Sequence, residues 1–108
     1  MSLEDNGKWE MLGGGLDHNE DPIKCLRREI NEETGLEVTW VSKSPLYFLT
    51  APREGSDTYI ANVVYQIKLK NLDFIPSDEC RELRFFSPAE AREVQLFANV
   101  QKLLELLA

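Results

Sequence analysis

The alternation of apolar and polar residues divides the chain into a short series of elements. "DNGKWEML" predicts a turn with Asn6-Gly7 at its tip, then a short strand over 8–12. Three glycines follow, and "DPIKCLRREINEETG" carries the punctuation of a helix. Asp21 suits the N-cap, Pro22 the first helical position and Gly35 the left-handed stop, so a helix is expected over Pro22–Thr34. On a wheel of roughly 100° per residue, Ile23, Leu26 and Ile30 form the stripe this helix should bury. "LEVTWVS" and "PLYFLT" predict strands interrupted near Pro45, because proline cannot donate to a ladder. "APREGSD" reads as a loop and "TYIANVVYQIKL" as the strongest strand, rich in β-branched and aromatic residues. A polar connection, "KNLDFIPSDECRE", leads to a short strand in "LRFFS". Ser87, Pro88 and Glu90 predict a helix start with a capping box, and Leu96, Val100, Leu103, Leu104 and Leu107 recur at helical spacing. Strands mixed with two amphipathic helices predict a layered α/β sandwich, a single domain over residues 1–108.

Composition narrows the partners. At 108 residues the chain can bury one modest core. A net charge of −7 argues against the phosphate affinity of a basic surface, so duplex nucleic acid is not an expected partner. A phosphate-bearing small molecule stays open, since a divalent cation can bridge two anions. The opening "MSLEDNGKWE" has neither a basic leader nor an apolar run, and no stretch reaches membrane-spanning length. A cytoplasmic protein with no membrane partner is therefore expected. Cys25 and Cys80 are too few for a disulfide framework and read as reduced bystanders.

The chemistry concentrates on the first helix. Glu29, Glu32 and Glu33 span an arc of about 100° on the wheel, with Glu33 beside the apolar stripe. Like charges at this spacing repel, so the cluster is costly unless something neutralises it. Most glutamate-rich helices are solvated faces. Against that reading, a carboxylate bordering a buried stripe is normally paired or metal-bound, and glycines upstream let backbone approach a ligand closely. Magnesium suits such oxygen donors and commonly shares them with substrate phosphates. A cation so held polarises a phosphoryl oxygen and lowers the pKa of bound water, as hydrolysis of a phosphoanhydride requires.

Gly14, five residues, Glu20, seven residues, then Arg28-Glu29-Ile30-x-Glu32-Glu33-x-Gly35-Leu36 resembles the Nudix box at all nine specified positions of its 23 residues. The flank "GKWEMLGGGLD" is also similar to the strand and loop that lead into that box. The resemblance implies a Nudix-type α/β/α sandwich with a mixed sheet, and a box folded as loop–helix–loop. It implies magnesium or manganese held by Glu29, Glu32 and Glu33, joined by a backbone carbonyl near Gly13 or Gly14. Arg28 would orient a glutamate, Glu20 would support the loop–helix–loop, and Gly35 would close the helix. Many members add an acidic residue from a late loop as ligand or general base. Counting back from "RFFSP", that residue would be Glu79, with Glu82 in reserve. The implied activity is hydrolysis of a nucleoside diphosphate linked to another moiety, giving a nucleoside monophosphate and a phosphorylated product. A nucleotide-binding or regulatory module without catalysis is the alternative.

The pattern departs from the family in two places. Asn19 stands where many members carry glycine, a substitution that tolerates left-handed backbone angles. Only 13 residues precede Gly14, whereas the family usually begins with a long central strand upstream. The domain therefore reads as N-terminally truncated, with Met1–Leu3 compatible with an expression scar. Neighbours of an absent strand carry unpaired backbone groups, which predicts either a swapped or paired homodimer or a domain of low stability. Trp9, Tyr47, Phe48 and Tyr59 are candidates to stack a nucleobase, although strand aromatics are more often core. Arg53 in "APREGSD" is a candidate phosphate clamp, and Pro52 falls where some ADP-ribose-cleaving members have a proline. His18, the single histidine, reads as a variable loop residue rather than a general base.

Overall fold

The structure is a computed structural model that describes residues 1–13, 21–78 and 80–107. In chain order its elements are β1 (Ser2–Leu3), β2 (Trp9–Glu10), α1 (Pro22–Thr34), β3 (Val38–Val41), β4 (Tyr47–Pro52), β5 (Tyr59–Val64), β6 (Ile67–Leu69), α2 (Pro88–Ala91) and α3 (Ala98–Leu107). Helix α1 has the bounds its punctuation predicts. Asp21 accepts the Ile23 and Lys24 N–H groups, Pro22 opens the first turn, and Gly35 at φ 74° donates to the Asn31 carbonyl. The Ser87–Glu90 capping box is also formed, but α2 is only four residues long.

The buried face of α1 differs from the expected stripe. Cys25, Ile30 and Thr34 are the buried residues, with Leu26 packed alongside. Ile23 lies in the first turn and stays half-exposed, so the face is turned toward Cys25. The last helix begins at Ala98, later than its leucine pattern suggests, and buries Asn99, Val100 and Leu104.

The strands form three antiparallel ribbons, β1–β2, β3–β6 and β4–β5. The single long strand expected over 58–69 is broken. Its first half pairs with β4 and its second with β3. The chain changes partner at Tyr65-Gln66, where Ser42 N–H donates to the Gln66 carbonyl and Gln66 N–H donates to Ser42 Oγ.

Met1–Leu3 takes part in the fold. Leu3 N–H donates to the Glu82 carbonyl, Arg84 N–H donates to the Met1 carbonyl, and Ser2 bridges antiparallel to Leu83. The expected strand in "LRFFS" is reduced to this bridge at Leu83. On the far side of β2, Trp9 N–H donates to the Gln95 carbonyl and Phe97 N–H to the Trp9 carbonyl, in parallel sense. Residues 82–84, β1, β2 and 95–97 thus align as a narrow mixed sheet. The two-residue β1 occupies an inner place there, so its neighbours do pair across it.

Two apolar clusters hold the layers together. Trp9, Ala91, Leu96, Val100 and Leu104 pack α2 and α3 on the N-terminal ribbon. Ile30, Leu36 and Val38, with Leu12, Leu26 and Ile67, seat α1 on the β3–β6 ribbon. Helices packed through apolar clusters onto strand ribbons give the mixed α/β content the sequence predicts, although the strands divide into three antiparallel ribbons rather than one mixed sheet. Among the described residues no helix is long and apolar enough to cross a membrane.

Candidate functional site

Helix α1 carries the acidic cluster along one edge, and its neighbours determine how exposed that edge is. The Glu29 side chain is 20% exposed and that of Glu32 is 51% exposed. Glu33 is half-buried. Arg28 lies between the first two. Its Nη1 is 3.0 Å from Glu29 Oε1 and 3.1 Å from Glu32 Oε2, so one guanidinium nitrogen joins both carboxylates. Nη2 of Arg28 also approaches Cys25 Sγ at 3.8 Å. The Arg28–Glu32 pair is the i,i+4 contact a helix surface favours. Arg28 is thus ion-paired with two glutamates of the cluster.

The late loop is pinned to the end of this helix. Ser77 Oγ donates to the Glu33 carbonyl at 3.2 Å, and Ile75 N–H donates to the Thr34 carbonyl at 3.3 Å. Ser77 and Cys80 close a small turn through Ser77 N–H to the Cys80 carbonyl and Cys80 N–H to Ser77 Oγ. Side-chain atoms of Ile75 lie within 3.6 Å of where a Cβ on Gly35 would project. The loop between β6 and α2 thus runs beside Glu33. Burial pushes the Cys80 thiol up, and the charges of Glu33 and Glu4 add to that shift while the Met1 amino group opposes it.

Gly14, His18, Glu20 and Glu79 lie outside the described residues. Glu82, the reserve for Glu79, is exposed, and its carbonyl is engaged with Leu3 N–H and Cys80 Sγ. Among the described residues, no three acidic, histidine or cysteine side chains converge as a metal-holding group. Arg53 is exposed at the β4–β5 turn, beside Glu54, which pairs with Lys8 at 2.7 Å.

Trp9 is not a stacking platform. It is 6% exposed and packs edge-on against Phe86, with ring centroids 5.1 Å apart. The parallel pairing with 95–97 and the arrival of α2 bury it, and neither contact is visible from its neighbours in sequence. Phe48 and Tyr59 are 67% and 70% exposed on the outer face of the β4–β5 ribbon, opposite the face that carries Leu49 and Ala51 inward. Sequence reasoning missed Glu10, Asn62 and Asn99, which meet in one hydrogen-bonded group. Its only sequence signal was a lone asparagine in the apolar run that opens α3.

The carboxylate edge and the late loop meet at the C-terminal end of α1, where Ser77 reaches the Glu33 carbonyl. A NUDIX domain profile matches residues 3–107, nearly the whole chain. The chain belongs to the Nudix family. It is 28% identical to a Caenorhabditis elegans protein provisionally named nudix hydrolase 6, over 99% of this chain and 46% of that protein. It is 26% identical to the nucleoside triphosphatase NudI of Salmonella typhimurium, over 78% of this chain and 64% of the relative. A shorter match, 52% identical over 33 residues, is to the 8-oxo-dGTP diphosphatase of Proteus vulgaris, covering 31% of this chain and 30% of that protein. The chain thus spans less than two thirds of the length of these curated relatives. Nudix hydrolases generally use divalent metals, and the donors on α1 are the hard oxygens such ions prefer.

Proposed function

We propose that this Nudix domain is a pyrophosphohydrolase that uses magnesium or manganese to cleave a nucleoside diphosphate derivative. The observation that carries the proposal is the α1 edge, where Arg28 pairs with both Glu29 and Glu32 and Glu33 follows one turn on from Glu29. The donor set fits a hard dication, because every candidate ligand is an oxygen. Glu29, Glu32 and Glu33 would hold it, with the carbonyl of Gly14 as a further donor. When bound, the metal supplies charge neutralisation for the diphosphate and a water of lowered pKa.

The remaining work falls to the chain itself. Arg28 keeps Glu29 and Glu32 aligned and limits their repulsion while the site is being filled. Glu20 would support the loop–helix–loop, and Gly35 lets the chain turn so that the late loop closes beside Glu33. Glu79 on that loop would take the proton of the attacking water, a role that requires hydrogen-bond reach. Arg53 would meet substrate phosphate from the β4–β5 turn. Relatives named for nucleoside triphosphate and 8-oxo-dGTP substrates support a nucleotide as the small molecule.

The test is release of monophosphate or phosphate from a panel of nucleoside diphosphate derivatives, with and without magnesium, for wild type and Glu33→Gln. Metal-dependent turnover that the substitution abolishes is the expected result. Tight nucleotide binding with no turnover in the wild type would replace this reading with a regulatory module.

A further inference from the structure

Three polar side chains meet where β2 ends. Glu10 Oε1 accepts the Met11 N–H at 2.8 Å and Asn99 Nδ2 at 2.9 Å. The same Nδ2 donates to Asn62 Oδ1 at 3.0 Å, and Asn99 Oδ1 accepts the Val100 N–H at 3.0 Å. Asn99 is only 4% exposed, beside the apolar cluster of Trp9, Leu96 and Val100. These bonds tie β2, β5 and α3 together across 89 and 37 residues of sequence. Apolar residues of similar shape would hold the three elements about as firmly, since a buried hydrogen bond contributes little net stability. What the polar group adds is direction. Its carboxylate grips the backbone N–H of Met11, two residues before Gly13. Gly13 stands at φ 131°, and a Cβ there would lie 4.0 Å from Leu26 Cδ1 on α1. Leu12 packs in the cluster around Ile30. The segment from Glu10 to Gly13 is therefore held at one end by α3 and laid across α1 at the other.

We propose that Glu10, oriented by Asn99 and Asn62, is a positioning residue for the metal-site helix, fixing Met11–Gly13 in one register over α1. The role rests on the metal-site reading above, and it assigns to α3 and β5 a part in shaping a site they do not touch. Glu10 acts through the backbone and needs no contact with substrate.

The experiment compares Glu10→Ala, Glu10→Gln and the core variant Leu104→Val with wild type, in the full chain. Native-state hydrogen exchange reads the Met11 amide, and manganese titration reads the half-saturation of the site. Loss of the acceptor oxygen that holds the Met11 N–H predicts that Glu10→Ala lowers Met11 protection about tenfold or more and raises manganese half-saturation by about tenfold. Glu10→Gln keeps an acceptor oxygen and stays within about twofold of wild type on both measures. Leu104→Val lowers global stability and leaves manganese half-saturation unchanged. Unchanged Met11 protection in Glu10→Ala overturns the proposal, as does an equal shift of half-saturation in Leu104→Val. A wild-type chain that takes up no manganese overturns the metal reading instead, while the exchange measurement still decides the role of Glu10.

Discussion

Replacing Arg28 with methionine keeps the aliphatic stem and removes the charge that joins Glu29 to Glu32. Two ion pairs on one nitrogen disappear, at 3.0 and 3.1 Å. The pair with Glu32 is half-exposed and contributes about 0.3–0.5 kcal/mol. The pair with Glu29, whose side chain is 20% exposed, sits nearer the upper end for such contacts, about 1 kcal/mol. Repulsion released among Glu29, Glu32 and Glu33 adds a few tenths of a kcal/mol per neighbouring pair. The expected loss is about 2 kcal/mol in the absence of metal, a fall in Tm on the order of 10 °C for a domain of this size. Saturating magnesium supplies the missing positive charge at the same carboxylates, so the loss should shrink to less than half. Urea unfolding of wild type and Arg28→Met, each with chelator and with magnesium, measures both quantities. An equal penalty in the two conditions would refute the assignment of these carboxylates to a metal. No penalty in chelator would refute the bridging role of Arg28.

Gly35→Ala should cost about 1 kcal/mol, because φ 74° is a left-handed conformation, while the added Cβ meets Ile75 only at ordinary contact distance. A loss above about 3 kcal/mol in urea unfolding would show that the late loop cannot accommodate even a methyl group. Burial raises the Glu10 carboxyl above its ordinary 4.5, against hydrogen bonds from Met11 and Asn99 that lower it. The folded chain therefore holds this proton more tightly than the unfolded chain. The stabilisation is full below pH 4.5 and is lost as pH rises through the folded value. Glu10→Gln removes that loss, so its stability relative to wild type should climb with pH across this window. A pH-independent difference in urea unfolding would contradict the shift. Trp9→Ala should destabilise by about 3–5 kcal/mol as a core truncation. Trp9→Phe should leave nucleotide KM within about twofold, since no base can stack on a ring buried against Phe86. A large rise in KM for a well-folded Trp9→Phe would return that ring to the substrate cleft.

Local signals determined much of this protein. Asp21, Pro22 and Gly35 bound α1 because caps and stops act within one turn of the residues that make them. Ser87 and Glu90 close their box for the same reason. The spacing from Gly14 to Leu36 carried the family, since three glutamates at helical neighbour positions must share an edge wherever the helix packs. Tertiary structure decided what depends on distant partners. Thr58 to Leu69 looked like one strand, and only its pairing with β4 in the first half and β3 in the second shows that it divides. Residues 95–97 and Phe86 bury Trp9, and α1 turns Cys25 inward where the wheel favoured Ile23. Glu10, Asn62 and Asn99 are unremarkable in sequence and meet only because β2, β5 and α3 converge. Periodicity and capping depend on neighbours a few residues away, so they are written in the chain. Pairing and burial depend on which surfaces finally meet, and no short window of residues contains that.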